Sequence, residues 1–207
     1  MSEKAREIIL DHSTAGCELR EEFFQHNADR VVDVARVMAV SLAGGGKILF
    51  CGNGGSAADA QHIAAEFVNR FLIERPPLPA MALTTDTSII TAIGNDYGFN
   101  QIFVKQVQAL GRAGDVLAAI STSGNSPNIL HALRASREKQ ITTVGIGGQN
   151  GGEMTPYCDH TLLVPSKETP LIQEVHIAIG HLLCRLVDYF LFEAVAELKP
   201  YLNPKEE

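Results

Sequence analysis

Twice in this chain a short, continuous apolar run stops at a loop of small residues and passes straight into a helical pattern. The two stretches are "KILFCGNGGSAADAQHIAAEFVNRF" (47–71) and "DVLAAISTSGNSPNILHALRASREK" (115–139). An apolar run without polar alternation is what a strand buried on both faces requires, and a helix after each run supplies the cover. The remaining runs fit the same plan. "PAMALTT" reads as a strand before the helical "DTSIITAIGND", and "ITTVGIGG" and "HTLLVP" read as further strands. Alternating strands and helices predict an α/β fold, a parallel sheet sandwiched by helices, with ligands bound beyond the carboxyl ends of the strands, where both small-residue loops emerge.

Helical patterns flank this centre. Ile8, Ile9, Leu19 and Phe23, then Val31, Val34, Ala35, Met38 and Leu42, recur at helical spacing on either side of the turn-prone "HNAD" (26–29), which predicts two helices within about residues 1–43. Pro170 to Leu198 reads as one long helix, with "IERPPLP" (73–79) as a rigid connection earlier in the chain. These helices offer more apolar surface than one sheet needs; self-association is its natural use, and packing within one chain is the equal alternative. A chain of 207 residues suits a single domain spanning 1–207.

Composition narrows the function. A formal net charge of −7 with no basic run argues against a nucleic-acid surface. The C-terminal helical pattern is interrupted by His181, Arg185 and Asp188, which argues against a membrane span. The start of the chain lacks the basic, apolar and small-residue segments of a signal peptide, and Cys17, Cys51, Cys158 and Cys184 are widely separated; both point to reduced thiols in the cytoplasm.

In "STSGNS", Ser121, Thr122, Ser123 and Ser126 bring hydroxyls to a helix N-terminus, where unpaired N–H groups and the positive dipole end favour a phosphate; capping of the helix by Ser126 is the plainer alternative. The loop "GNGGS" has the spacing of neither a dinucleotide fingerprint nor a nucleotide-triphosphate loop, but Asn53 and Ser56 in it can hydrogen-bond sugar hydroxyls. His62 and Glu66, four apart, share a helix face and are both good zinc ligands, although such pairs are also common on solvated faces. On the last helix, periodicity aligns Glu174 with His181 more closely than Gln173, and does not by itself choose between them.

Four segments in order, "CGNGGSAADAQHIAAEFVNRF", "AIGNDYGFNQIF", "GDVLAAISTSGNSPNIL" and "IQEVHIAIGHLLCRLVD", together resemble the phosphoheptose isomerases, a family of sugar-isomerase-domain (SIS) proteins. The resemblance implies a flavodoxin-like α/β sandwich with long N- and C-terminal helices, assembled as a homotetramer. It implies zinc held by His62, Glu66, Gln173 and His181, with Gln173 selected over Glu174 by the match alone. It implies substrate contacts from Asn53, Gly54, Gly55, Asn95, Asp96, Ser121, Thr122, Ser123 and Ser126, with Ser56, Glu66, Arg70 and Gln173 as further candidates. The implied reaction converts sedoheptulose 7-phosphate to D-glycero-D-manno-heptose 7-phosphate for bacterial surface heptose synthesis, with Glu66 and His181 sharing the proton transfers. A related protein of this fold is a tetrameric adaptor for a bacterial replication initiator, and a third class senses sugar phosphates without turnover. The matched zinc positions favour the isomerase over both.

Overall fold

The computed structural model describes residues 2–202. Its centre is a five-stranded, wholly parallel sheet in the order β2-β1-β3-β4-β5. The strands are β1 (Ile48–Gly52), β2 (Ala80–Ala82), β3 (Val116–Ser121), β4 (Thr142–Gly148) and β5 (His160–Val164). All residues of β1 and β3 are buried, as their uninterrupted apolar runs require. Register pairs Gly52 with Ile120, so the small-residue loops after β1 and β3 leave the sheet side by side.

Successive strand residues point to opposite faces, and the core divides accordingly. Ile48, Phe50, Ala118, Ile120, Val144 and Ile146 face one layer, made by α1 (Glu3–Ala43), α2 (Gly55–Val68) and α6 (Thr169–Asp188). Leu49, Cys51, Leu117 and Ala119 face the other, made chiefly by α4 (Ile102–Leu110) and α5 (Pro127–Glu138), with α3 (Thr87–Tyr97) at its margin. Phe67 of α2 lies on Phe50 of β1 with ring centroids 6.0 Å apart. Burying rings of this size contributes roughly 1.5–3 kcal/mol each to holding α2 on the sheet.

Two expectations are corrected. The first 43 residues do not form two helices: α1 is one helix of 41 residues that runs through "HNAD". That tetrapeptide contains no Gly or Pro, and its polar side chains bond back along the helix, with Asn27 Nδ2 donating to Phe23 O (2.9 Å) and the His26 ring bonding Glu22 O (2.8 Å). The second half of α1 is buried through Val31, Val34, Ala35, Met38 and Ala39, whereas residues 2–14 are exposed.

The last helix ends ten residues earlier than its apolar pattern suggests. Asp188 is drawn inward to Arg75, and the following turn, Tyr189–Glu193, widens so that Ala194 N–H reaches Tyr189 O. The segment Thr169–Glu193 contains an 18-residue stretch with a mean hydropathy of 1.5 and is long and apolar enough to cross a membrane by length and composition. Here it packs on the sheet as a core helix, burying Ile172, Val175, Ile179, Leu183 and Val187.

Candidate active site

The two loops at the carboxyl edge of the sheet are tied together. Asn53, just past β1, and Asn128, in the first turn of α5, exchange carboxamide hydrogen bonds, Asn53 Nδ2 donating to Asn128 Oδ1 (2.9 Å) and Asn128 Nδ2 to Asn53 Oδ1 (2.8 Å). Ser126 occupies the N-cap of α5, yet its hydroxyl makes no capping bond and stands 3.3 Å from Ser121 Oγ. Simple capping is therefore not what Ser126 does. Ser121 Oγ also accepts from Gly124 N (3.2 Å), and Ser123 Oγ accepts from Asn125 N (3.2 Å). Thr122 is half-buried and Ser123 exposed, so hydroxyls gather above a helix N-terminus with donor capacity to spare.

A second group forms where α2 meets α6. His62 Nε2 lies 3.2 Å from His181 Nε2 and 3.3 Å from Glu66 Oε1. Two donors bonded to one tetrahedral ion at about 2.0–2.1 Å stand about 3.3 Å apart, which is the spacing found here. Among the described residues no three His, Cys, Asp or Glu close into a complete cage. Gln173, which carries a carboxamide, lies on the same helix as His181. Its Nε2 would lie 2.5 Å from a Cβ at Gly55, so Gln173 spreads across the start of α2 and would have to shift if Gly55 carried a side chain. Glu174, the residue that periodicity favoured, turns instead to α1, where His12 Nε2 contacts its Oε1 at 2.7 Å. At Gly180 a side chain would run into Ile63, so glycine next to His181 lets α6 approach α2 closely enough for the imidazoles to meet.

The other named residues are scattered. Ser56 is buried beneath Gly52, and Gly54 and Gly55 start α2. Asn95 and Asp96 lie exposed on the last turn of α3 and bond each other (Asn95 Nδ2 to Asp96 Oδ1, 2.8 Å). Arg70, beyond the end of α2, pairs with exposed Glu74 (2.8 Å).

Two groups of interest lack a local sequence signal. Asp59 is one helical turn before His62; its Oδ2 is buried without a hydrogen-bond partner, and burial raises its carboxyl above the usual range against the opposing pull of His62. His176 of α6 is 2% exposed, bonds Gly147 O through Nε2 (3.1 Å), and burial lowers its pKa to about 4, which keeps it neutral. For His176 alone, a polar residue among apolar ones on its helix face was the available sign.

Residues 13–148 match the family model of the SIS domain. Over 205 residues the chain is 66% identical to a phosphoheptose isomerase of Nitratidesulfovibrio vulgaris (strain Miyazaki F), covering 99% of each chain. Among solved structures, a phosphoheptose isomerase from Francisella tularensis matches with a TM-score of 0.86 at 40% identity, and that from Neisseria gonorrhoeae with 0.84 at 45%. Each covers 89% of this chain and 98% of the other.

Proposed function

Since the chain belongs to the SIS-domain family of phosphoheptose isomerases, we propose that it interconverts sedoheptulose 7-phosphate and D-glycero-D-manno-heptose 7-phosphate in the cytoplasm, as a step of bacterial surface heptose synthesis. The observation that carries this reading is the meeting of His62 with His181 (3.2 Å) and with Glu66 (3.3 Å) at the α2–α6 seam, in a chain that also gathers Ser and Thr hydroxyls at the start of α5.

The ketose has a carbonyl at C2 and two hydrogens on C1. Isomerisation removes one proton from C1, passes through an enediolate, and returns a proton to C2, while the oxygen proton moves from O1 to O2. Electrons shift only within the sugar, so no redox cofactor is consumed. Glu66 has the carboxylate to take the C1 proton and deliver it to C2. His181 has the imidazole to carry the proton between the two oxygens. Gln173, with its carboxamide across Gly55, orients the sugar's hydroxyls, and the Ser121, Thr122, Ser123 and Ser126 hydroxyls with the α5 N-terminus receive the phosphate. His62, Glu66, Gln173 and His181 are the donors that would hold zinc. When bound, zinc polarises the substrate oxygens as a Lewis acid.

The assembly is proposed to be a homotetramer. In its favour, Ile8, Ile9 and Leu10 on the free half of α1 are 58%, 68% and 54% exposed, and α3 buries none of its residues within one chain. A monomeric mass by light scattering would remove that part. The central test is an NMR time course of zinc-replete protein with sedoheptulose 7-phosphate: an aldoheptose 7-phosphate should accumulate to equilibrium, and its absence would end the isomerase reading.

A further inference from the structure

Arg75 lies in the connection after α2, far in sequence from Asp188 at the last position of α6, yet the two side chains form an ion pair in which both are 1% exposed. Nε donates to Asp188 Oδ1 (2.8 Å). The rest of the guanidinium grips the end of α2, Nη2 donating to Glu66 O (3.0 Å) and Nη1 to Phe67 O (2.7 Å), with longer contacts from Nη1 to Asn69 O (3.3 Å) and Pro76 O (3.2 Å). The carbonyls in a helix's last turn have no partner within the helix and sit at its negative end, so a buried cation is well matched to them. One of these carbonyls belongs to Glu66 itself.

We propose that the Arg75–Asp188 pair is a positioning device that locks the donor-bearing end of α2 to α6 and thereby sets Glu66 and His62 against His181. His181, Cys184 and Asp188 are spaced three and four apart and form one stripe of α6 toward α2. Cys184 is buried, and burial first, then the Glu66 and Asp188 carboxylates, push its thiol up. The His62–His181 contact is thus bracketed by two fixed points, the close approach of Gly180 to Ile63 on one side and the Arg75–Asp188 pair on the other. A pair kept only for stability need not be ionic, because apolar residues of similar volume often serve as well or better in a buried site. Apolar side chains, however, cannot hold the Glu66 carbonyl.

This inference rests on the proposed isomerase reading for its functional half, and the experiment separates the two. Arg75→Met with Asp188→Leu keeps volume and removes the charges; Arg75→Lys keeps the charge but loses the planar fork. Each would be compared with the wild type by urea unfolding, by amide hydrogen exchange at residues 66–69 in zinc-free protein, by chelator competition for zinc, and by kcat and KM on sedoheptulose 7-phosphate. The expected result for the double variant is an unfolding midpoint near that of the wild type, exchange at 66–69 at least about tenfold faster, zinc affinity lower by about 10–100-fold, and kcat reduced with little change in KM. Should the double variant not fold, Arg75→Lys decides by the same readouts. A folded variant with wild-type exchange, zinc affinity and kcat would overturn the proposal. A wild type that neither binds zinc nor isomerises would overturn the functional reading instead, and exchange at 66–69 would still decide whether Arg75 holds the end of α2.

Discussion

The hydroxyl cradle beyond β3 and the donor seam between α2 and α6 are held in different ways. Ser121, Thr122, Ser123 and Ser126 sit within six consecutive residues, and the loop's own turn and the start of α5 bring them together. His62 and His181 are 119 residues apart and meet because two helices pack at Gly180 and are tied at Arg75 and Asp188. Anion binding of this kind needs only local backbone and small side chains, whereas a multidentate donor set needs tertiary structure held to within a fraction of an ångström. The cradle should therefore tolerate change by losing affinity, and the seam by losing chemistry.

The sharpest way to break this contrast is Glu66→Gln. The amide keeps the shape and an oxygen but has no basicity, so single-turnover isomerisation with zinc in excess should fall by about 10²–10⁴-fold while the protein stays folded. Turnover near the wild-type rate would place the base elsewhere, with His181 or Asp96 the next to examine.

Acid should reach the seam side through His176, which packs α6 on β4. Its pKa is lowered to about 4 in the folded protein, from an ordinary value of 6.5. The unfolded chain therefore takes up the proton first as pH falls. Its contribution to stability is complete above pH 6.5 and is lost between there and pH 4, a total of ~3 kcal/mol. Urea titrations across that window should show stability declining with pH in the wild type and a flatter profile in His176→Gln; parallel profiles would assign the effect to other groups.

On the cradle side, Ser121→Ala with Ser123→Ala should weaken binding of sedoheptulose 7-phosphate. Each hydrogen bond to a charged group is worth about 1.5–3 kcal/mol, so calorimetry on the double variant should register a loss of at least about tenfold to a hundredfold with the unfolding midpoint little moved. Unchanged affinity would place the phosphate at another site. The smallest effect is expected for Gly180→Ala, where the added methyl meets Ile63 and pushes the helices slightly apart. Zinc affinity should drop by about tenfold, in the range seen when the support of a metal ligand is disturbed, while affinity for the sugar phosphate changes less. An equal loss in both would show that seam and cradle move as one body.

The same contrast explains what could be read from the chain beforehand. The strand, loop and helix units were legible because each is punctuated locally by glycine and by apolar runs, and the parallel sheet follows from their alternation. The placement of the hydroxyl-bearing loop at the start of α5 was legible for the same reason. The break predicted at "HNAD" failed because His26 and Asn27 satisfy their side chains on α1's own carbonyls, a choice that turn propensity alone does not reveal. Helical periodicity pointed to Glu174, while in the structure that carboxylate is engaged by His12 of α1 and Gln173 lies over Gly55. Which neighbour occupies each side of α6 is a tertiary fact. Arg75 gave no sign at all, since a lone Arg among prolines in "IERPPLP" is indistinguishable from a solvated loop charge until α6 lies beside it.

The strand order has a kinetic consequence. β1 pairs with β3, joining Ile48 to Val116 across an intervening strand and three α-helices, and α6 packs on a sheet that includes β4 and β5, both of which follow β3 in the chain. Contacts so distant along the chain close slowly, after the local helices have formed. During refolding, helical signal should therefore return well before the two imidazoles find each other, and recovery of zinc binding should trail it as the last event of the process.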